Sequence, residues 1–219
     1  MIRRALAADA AILLLLLTLS ACGPRFPGVA LPGATTESKT ALARGEWPAY
    51  AGTYASARYS PLDQINATNA GDLKVVWRWT SPDHAVRNAN ATIDPSWLHE
   101  GTPIMVNGVL YTSTSLSQVA AIDAASGQTK WVFDPGVWKL GMPTNNGWLH
   151  RGVAYWRDSE DERVIMLTAH GAMIALDAKT GRPIQTFGDK GSVDLVEGLR
   201  RPAVPRWVYG NTSPPVVVR

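Results

Sequence analysis

The chain has 219 residues, 46% hydrophobic and 18% charged, which is enough apolar material for a real core and too much for a disordered chain. Its 21 Lys and Arg against 18 Asp and Glu leave a formal charge of +3 with no basic block, so nucleic-acid binding has no electrostatic footprint. A single cysteine excludes an internal disulfide framework and any cysteine-based zinc site.

Arg3 and Arg4 precede an apolar run over residues 10–19. That run is shorter than the roughly 20 residues a membrane span needs, and small residues follow it, as in a secretory signal. Leu19-Ser20-Ala21-Cys22 then resembles the bacterial lipobox, in which the cysteine is lipidated and becomes the new N-terminus. Residues 1–21 are therefore expected to be a lipoprotein signal peptide. Cys22 is the expected lipidation site, and the protein is expected to be exported, periplasmic and lipid-anchored to a bacterial membrane. The alternative is an ordinary signal peptide with a chance cysteine. Residues 22–45 are rich in Gly, Pro, Ala, Ser and Thr without periodicity and read as a flexible tether.

Beyond Trp47, short β-rich runs alternate with Gly, Asn, Asp and Pro turns, and hardly any stretch has a helical period. The pattern predicts an all-β fold. Residues 109–114 and 118–122 read as strands, 123–127 as a turn and 130–133 as a further strand. Downstream, 164–168 and 173–176 read as strands and 177–181 as the next turn. Ala121-x-Asp123-x-x-Ser126-Gly127 and Ala175-x-Asp177-x-x-Thr180-Gly181 stand 54 residues apart. A period of that size with about four strands per unit points to the blades of a β-propeller. In each turn the Asp can accept backbone N–H bonds and the Gly can supply positive φ. Trp131 is expected to pack between adjacent sheets. Gln185 holds the matching position in the second unit, where Phe187 is expected to take over the packing. Most of the nine tryptophans read as blade packing. A closed ring needs four to eight such units. The chain is thus expected to be an incomplete propeller over residues 46–219, the front of a longer protein, with residues 213–219 starting a further strand.

The opening Glu46-Trp47-Pro48-Ala49-Tyr50-Ala51-Gly52, then Arg58-Tyr59-Ser60-Pro61-Leu62, Gln64-Ile65-Asn66-x-x-Asn69 and Leu73-x-x-x-Trp77, resembles that of the PQQ-dependent (pyrroloquinoline quinone) dehydrogenases. Glu100-Gly101-Thr102-Pro103, Arg151-Gly152-Val153-Ala154-Tyr155-Trp156 and Thr212-Ser213-Pro214-Pro215 are similar to later segments of that family. The two Asp-x-x-Ser/Thr-Gly turns are similar to its tryptophan-docking repeats. The resemblance implies an eight-bladed propeller whose funnel holds PQQ and Ca²⁺. It also implies oxidation of sugar or alcohol hydroxyls to carbonyls by hydride transfer, with electrons passed to a membrane quinone or cytochrome c.

The resemblance implies that Arg151 binds a PQQ carboxylate, for which a planar guanidinium is well shaped. Read without it, Arg151 caps a strand turn or pairs with a surface acid. Glu100 matches an acid lining the cofactor edge, and would otherwise be a solvated loop residue. Thr212 matches a threonine that donates to PQQ, and would otherwise organise a turn. Thr168, at a strand end, is a further cofactor-binding candidate. The family's calcium ligands, stacking tryptophan and catalytic Asp are expected beyond residue 219, so the chain alone is expected to be inactive and neither catalytic nor metal residues are assigned within it.

Asn145-Asn146 stand where alcohol-oxidising relatives often carry adjacent cysteines, which implies either a place nearer the glucose and polyol branch or polar amides in place of the disulfide surface. His84, His99, His150 and His170 have no metal-ligand spacing. His150 reads as a hydrogen-bonded residue at a strand end, the alternative being that it approaches the substrate funnel beside Arg151. A second reading, from a different functional class, is a lipid-anchored propeller scaffold that binds other envelope proteins. The opening and the Arg151-Gly152 motif rank it below the dehydrogenase.

Overall fold

The computed structural model describes residues 36–93, 100–144, 147–200 and 209–217. Cys22, His99 and Asn145-Asn146 lie outside them, as do the signal peptide and most of the expected tether. Two four-stranded antiparallel sheets follow one another along the chain. Sheet 1 comprises β1 (Ile104–Val106), β2 (Val109–Ser113), β3 (Val119–Asp123) and β4 (Thr129–Phe133). Sheet 2 comprises β5 (Ala154–Asp158), β6 (Asp161–Leu167), β7 (Ala172–Asp177) and β8 (Ser192–Asp194). Each sheet is a simple meander, as expected of propeller blades. The strands expected within the two repeat units are present, whereas residues 213–217, expected to start a further strand, are in none. β1, β5 and β8 are additional, and they are short runs whose pairing, rather than composition, makes them strands.

Asn107 and Gly108 both have positive φ, the backbone of a two-residue hairpin turn, and join β1 to β2. The expected Asp turns join β3 to β4 and follow β7. Asp123 Oδ1 accepts bonds from the N–H and the hydroxyl of Ser126, both at 2.8 Å. Asp177 Oδ1 does the same with Thr180, both at 2.7 Å. Gly127 and Gly181 close the turns at φ +72 and +71.

Those glycines are needed for a second reason. A Cβ on Gly181 would stand 2.6 Å from the ring of Trp131, and one on Gly127 2.5 Å from the ring of Trp77. Each indole lies flat on a glycine, and its N–H donates to the carbonyl just after the turn's Asp: Trp131 to Ala178 O at 3.0 Å, Trp77 to Ala124 O at 3.2 Å. Trp131 on β4 thus ties sheet 1 to sheet 2, as expected. Trp77 repeats the device one 54-residue step earlier. The core lies between the sheets, with Ile104, Tyr111 and Val119 facing Tyr155, Val164, Met166 and Leu176. The Tyr111 and Tyr155 rings meet at 6.0 Å.

Two short helices differ from expectation. The end of the segment read as tether forms helix α1 (Thr36–Ala43), where Ala41 and Leu42 are buried. Helix α2 (Asp83–Ala89) follows Trp79 and is held by one side chain. The buried Asp83 carboxylate accepts from Thr114 Oγ1 (2.6 Å), Gln118 Nε2 (2.8 Å) and Leu116 N (3.1 Å). Seven residues give too short a period to read, and long-range bonds to the Asp83 side chain anchor the helix. Among the described residues no helix is long and apolar enough to cross a membrane.

Trp47 bridges the free edge of sheet 1, exchanging two 2.9 Å backbone bonds with Met105. The Gln64–Asn69 stretch folds on itself, with Asn69 Oδ1 accepting from Asn66 N at 2.8 Å and Asn69 Nδ2 donating to Gln64 O at 2.7 Å. Trp47 and the Gln64–Asn69 stretch of the opening therefore serve the scaffold.

Candidate cofactor site

Three expected residues converge. Glu100 lies four residues before β1, Arg151 three before β5, and Thr212 on the segment that follows sheet 2. The backbones meet first: Arg151 N donates to Thr212 O at 2.7 Å, and Thr102 N donates to Arg151 O at 3.0 Å. The side chains then close on one another. Arg151 Nε donates to Glu100 Oε2 at 2.7 Å and Nη1 to Thr212 Oγ1 at 2.5 Å. The alternative reading of Arg151 as paired with a surface acid is thus part of the geometry.

The pair is partly exposed, 32% for the arginine side chain and 37% for the glutamate. An exposed ion pair contributes only about 0.2–1 kcal/mol, so its weight lies in orientation rather than stability. Two edges of the guanidinium are fixed. Nη2 has no hydrogen-bond partner among the described residues. A planar cation held on two sides, with a free N–H edge, a hydroxyl and a carboxylate beside it, fits one carboxylate of PQQ approached by hydrogen bonds.

Gly152 explains the close approach of the segments. At φ +146 it has a Cβ position only 3.0 Å from Thr102 O, so a side chain there would be strained and would push the Thr102 backbone away. His150, on the other side of Arg151, is 1% exposed. Its Nε2 donates to Leu167 O at 2.5 Å, and its Nδ1 accepts from Gly152 N at 3.4 Å. Burial pushes its pKa below the usual histidine value, partly offset by the Leu167 bond. His170 is buried too, with Nε2 donating to Gly141 O at 3.1 Å and its pKa lowered by burial.

Thr168 is not brought to this cluster by any hydrogen bond. It is fully buried, and its hydroxyl accepts from Ala172 N at 3.1 Å across the β6–β7 turn. Thr114, 54 residues earlier, accepts from Gln118 N at 3.1 Å in the same way. Thr168 is a turn residue of the repeat. Among the described residues no three His, Cys, Asp or Glu side chains gather as a metal ion requires, so no calcium chemistry is placed on them.

A cavity of about 510 Å³ lies elsewhere, between Trp77, α2 and the outer face of sheet 1, lined by Asp83, Arg87, Leu110, Thr112 and Ile122 among others. Leu110, Thr112 and Ile122 stand 54 residues before Val164, Met166 and Leu176, which are 0% exposed in the core against sheet 1. The cavity therefore occupies the place that a preceding sheet would fill, and it does not include Arg151.

The sequence reading missed Trp77 as a docking residue, although its 54-residue spacing to Trp131 was a usable signal. It also missed Asp83, for which no local signal exists.

The family described as "PQQ: Glucose/ethanol/alcohol dehydrogenase, beta-propeller domain" matches residues 47–219. The chain is 37% identical over 179 residues to the dehydrogenase subunit of alcohol dehydrogenase (quinone) from Gluconacetobacter polyoxogenes, covering 76% of this chain and 22% of that protein. It is 34% identical over 196 residues to the quinoprotein glucose dehydrogenase of Escherichia coli, covering 83% and 23%. Among solved structures, quinohemoprotein alcohol dehydrogenase from Comamonas testosteroni superposes with a TM-score of 0.57 at 31% identity, covering 76% and 22%. The chain thus spans under a quarter of the length of these relatives. With two tryptophan-docked sheets and a family match over nearly the whole described fold, the chain belongs to the PQQ-dependent glucose, ethanol and alcohol dehydrogenase β-propeller family.

Proposed function

We propose that this chain supplies the first wall of a PQQ pocket in a dehydrogenase that oxidises sugar or alcohol hydroxyls. The observation that carries this is the convergence of Glu100, Arg151 and Thr212 from three successive segments, with Nη2 of Arg151 unbonded among the described residues. PQQ, when bound, supplies the two-electron acceptor for hydride from a carbinol carbon. Arg151 binds one of its carboxylates through Nη2, Thr212 holds the guanidinium on one side, and Glu100 holds it on the other while lining the cofactor edge. Catalytic base and calcium ligands are assigned to no described residue, so the chain alone is proposed to bind without turning over. Lipidation at Cys22, a periplasmic membrane location and electron transfer to a membrane quinone or cytochrome c complete the proposal. They rest on the lipobox-like sequence and on the family.

The test is a PQQ titration of the purified chain carrying Cys22→Ser, with and without Ca²⁺, followed by calorimetry. Saturable binding that Arg151→Ala weakens at least tenfold, about 1.4 kcal/mol, is expected. The partial exposure of the pair keeps the expected loss near that lower figure. Absence of binding by the folded chain would favour the scaffold reading. Unchanged affinity in Arg151→Ala would remove the arginine from the pocket.

A further inference from the structure

The residues flanking Arg151 carry a role that the pocket itself does not show. Residues 150–152 are pinned to three separate segments. Arg151 is bonded through its backbone to Thr102 before β1 and to Thr212 after sheet 2. His150 supplies the bond to sheet 2, through Leu167 at the end of β6. The Leu167 carbonyl can only accept, so Nε2 carries the proton, and Nδ1 is left as the acceptor for Gly152 N–H. A neutral imidazole in one tautomer satisfies both bonds at once. The ring is 1% exposed, whereas the guanidinium of the next residue is partly in solvent.

We infer that His150 is a positioning residue for Arg151: bonded to Leu167 on one side and Gly152 on the other, it fixes the backbone turn that aims the guanidinium at Glu100, Thr212 and a cofactor carboxylate. This rests on the reading of Arg151 as a PQQ ligand. The lowered pKa of the ring agrees with it, since the neutral form is the one that makes both bonds. A histidine that merely filled space would be replaceable by any ring of its size. A positioning histidine is replaceable only by a side chain that donates at the same reach, and glutamine places its amide N–H near the imidazole Nε2 position.

The test uses the ¹⁵N-labelled full chain and reads the arginine Nε–H resonance directly. Held on Glu100, the Arg151 Nε–H is expected to give a shifted, slowly exchanging cross-peak, identified by its loss in Arg151→Lys. His150→Gln should retain that cross-peak and keep PQQ affinity within about twofold. His150→Phe should move the cross-peak to the solvent-exposed position and weaken PQQ at least fivefold. If His150→Phe does not fold, His150→Asn, whose amide is too short to reach Leu167, carries the same expectation. A His150→Phe protein with an unaltered cross-peak and unaltered PQQ affinity overturns the proposal, as does His150→Gln behaving like His150→Phe. If Arg151→Ala leaves PQQ affinity unchanged, the cofactor reading fails on its own, and the cross-peak still decides whether His150 orients Arg151.

Discussion

The two sheets share a 54-residue plan, and their differences are more instructive than their likeness. At the outer turns they are the same device: Asp123 with Ser126 and Gly127 in sheet 1, Asp177 with Thr180 and Gly181 in sheet 2. At the inner turns they use matching threonines, Thr114 and Thr168. What braces those turns is not repeated. Sheet 1 relies on the carboxylate of Asp83 from α2. Sheet 2 relies on the imidazoles of His150 and His170. The approach to the first strand differs too, since Gly101 stands three residues before β1 and Arg151 three before β5. Repeated residues set the spacing and tilt of the sheets. The unrepeated ones carry local chemistry, and the candidate site is among them.

The largest expected effect comes from breaking the dock between the sheets. Trp131→Ala removes an indole that covers Gly181 and bonds to Ala178, and should cost about 3 kcal/mol, read from the urea midpoint. Gln185 holds the corresponding position in the second unit but is exposed and bonds only locally, to Pro183 O. Gln185→Ala should therefore stay within about 0.5 kcal/mol. Equal losses at the two positions would show that the repeat is not functioning as a dock.

Filling the space beneath the indole is the next sharper test. Gly181→Ala meets both a positive φ and a ring atom 2.6 Å away, and should cost about 1–3 kcal/mol. Gly108→Ala has a similar φ of +73 but nothing within 4 Å, so it should cost about 1 kcal/mol or less from strain alone. The difference between the two, measured by thermal melting, isolates the contribution of close tryptophan packing.

The smallest effect distinguishes the two kinds of brace by pH. His150 and His170 have folded pKa values below their unfolded value of about 6.5, so below that pH the unfolded chain takes up more protons than the folded one. Stability is then fully present above about pH 6.5 and falls as pH drops toward the folded values. The slope is at most about 1.4 kcal/mol per pH unit for each histidine. Amide protection factors in β6 and β7, corrected for the intrinsic exchange rate at each pH, should fall at pH 5.5 relative to pH 7.5, with β2 and β3 changing less. Equal loss of protection in both sheets would contradict the assignment of the imidazoles to sheet 2.

Much of this architecture was legible because propeller devices are local. An Asp turn closes within five residues, and its spacing from the next copy is fixed by the number of strands between them, so Asp123, Gly127, Asp177 and Gly181 could be read directly. Trp131 was legible by the same route, and Trp77 would have been had the spacing been extended backwards. Glu100, Arg151 and Thr212 could be named by resemblance, but not joined: 51 and 61 residues separate the arginine from its two partners. Only the order in which consecutive strands enter their sheets brings those segments to one point.

The chain's composition and periodicity determined an all-β repeat with docked tryptophans, because turn chemistry and strand pairing act over short distances. Tertiary structure alone decided that Asp83 holds a helix too short to read and that His150 is turned inward behind Arg151. Both outcomes depend on which group lies across a gap of many residues, and burial then makes a hydrogen-bond partner for it obligatory.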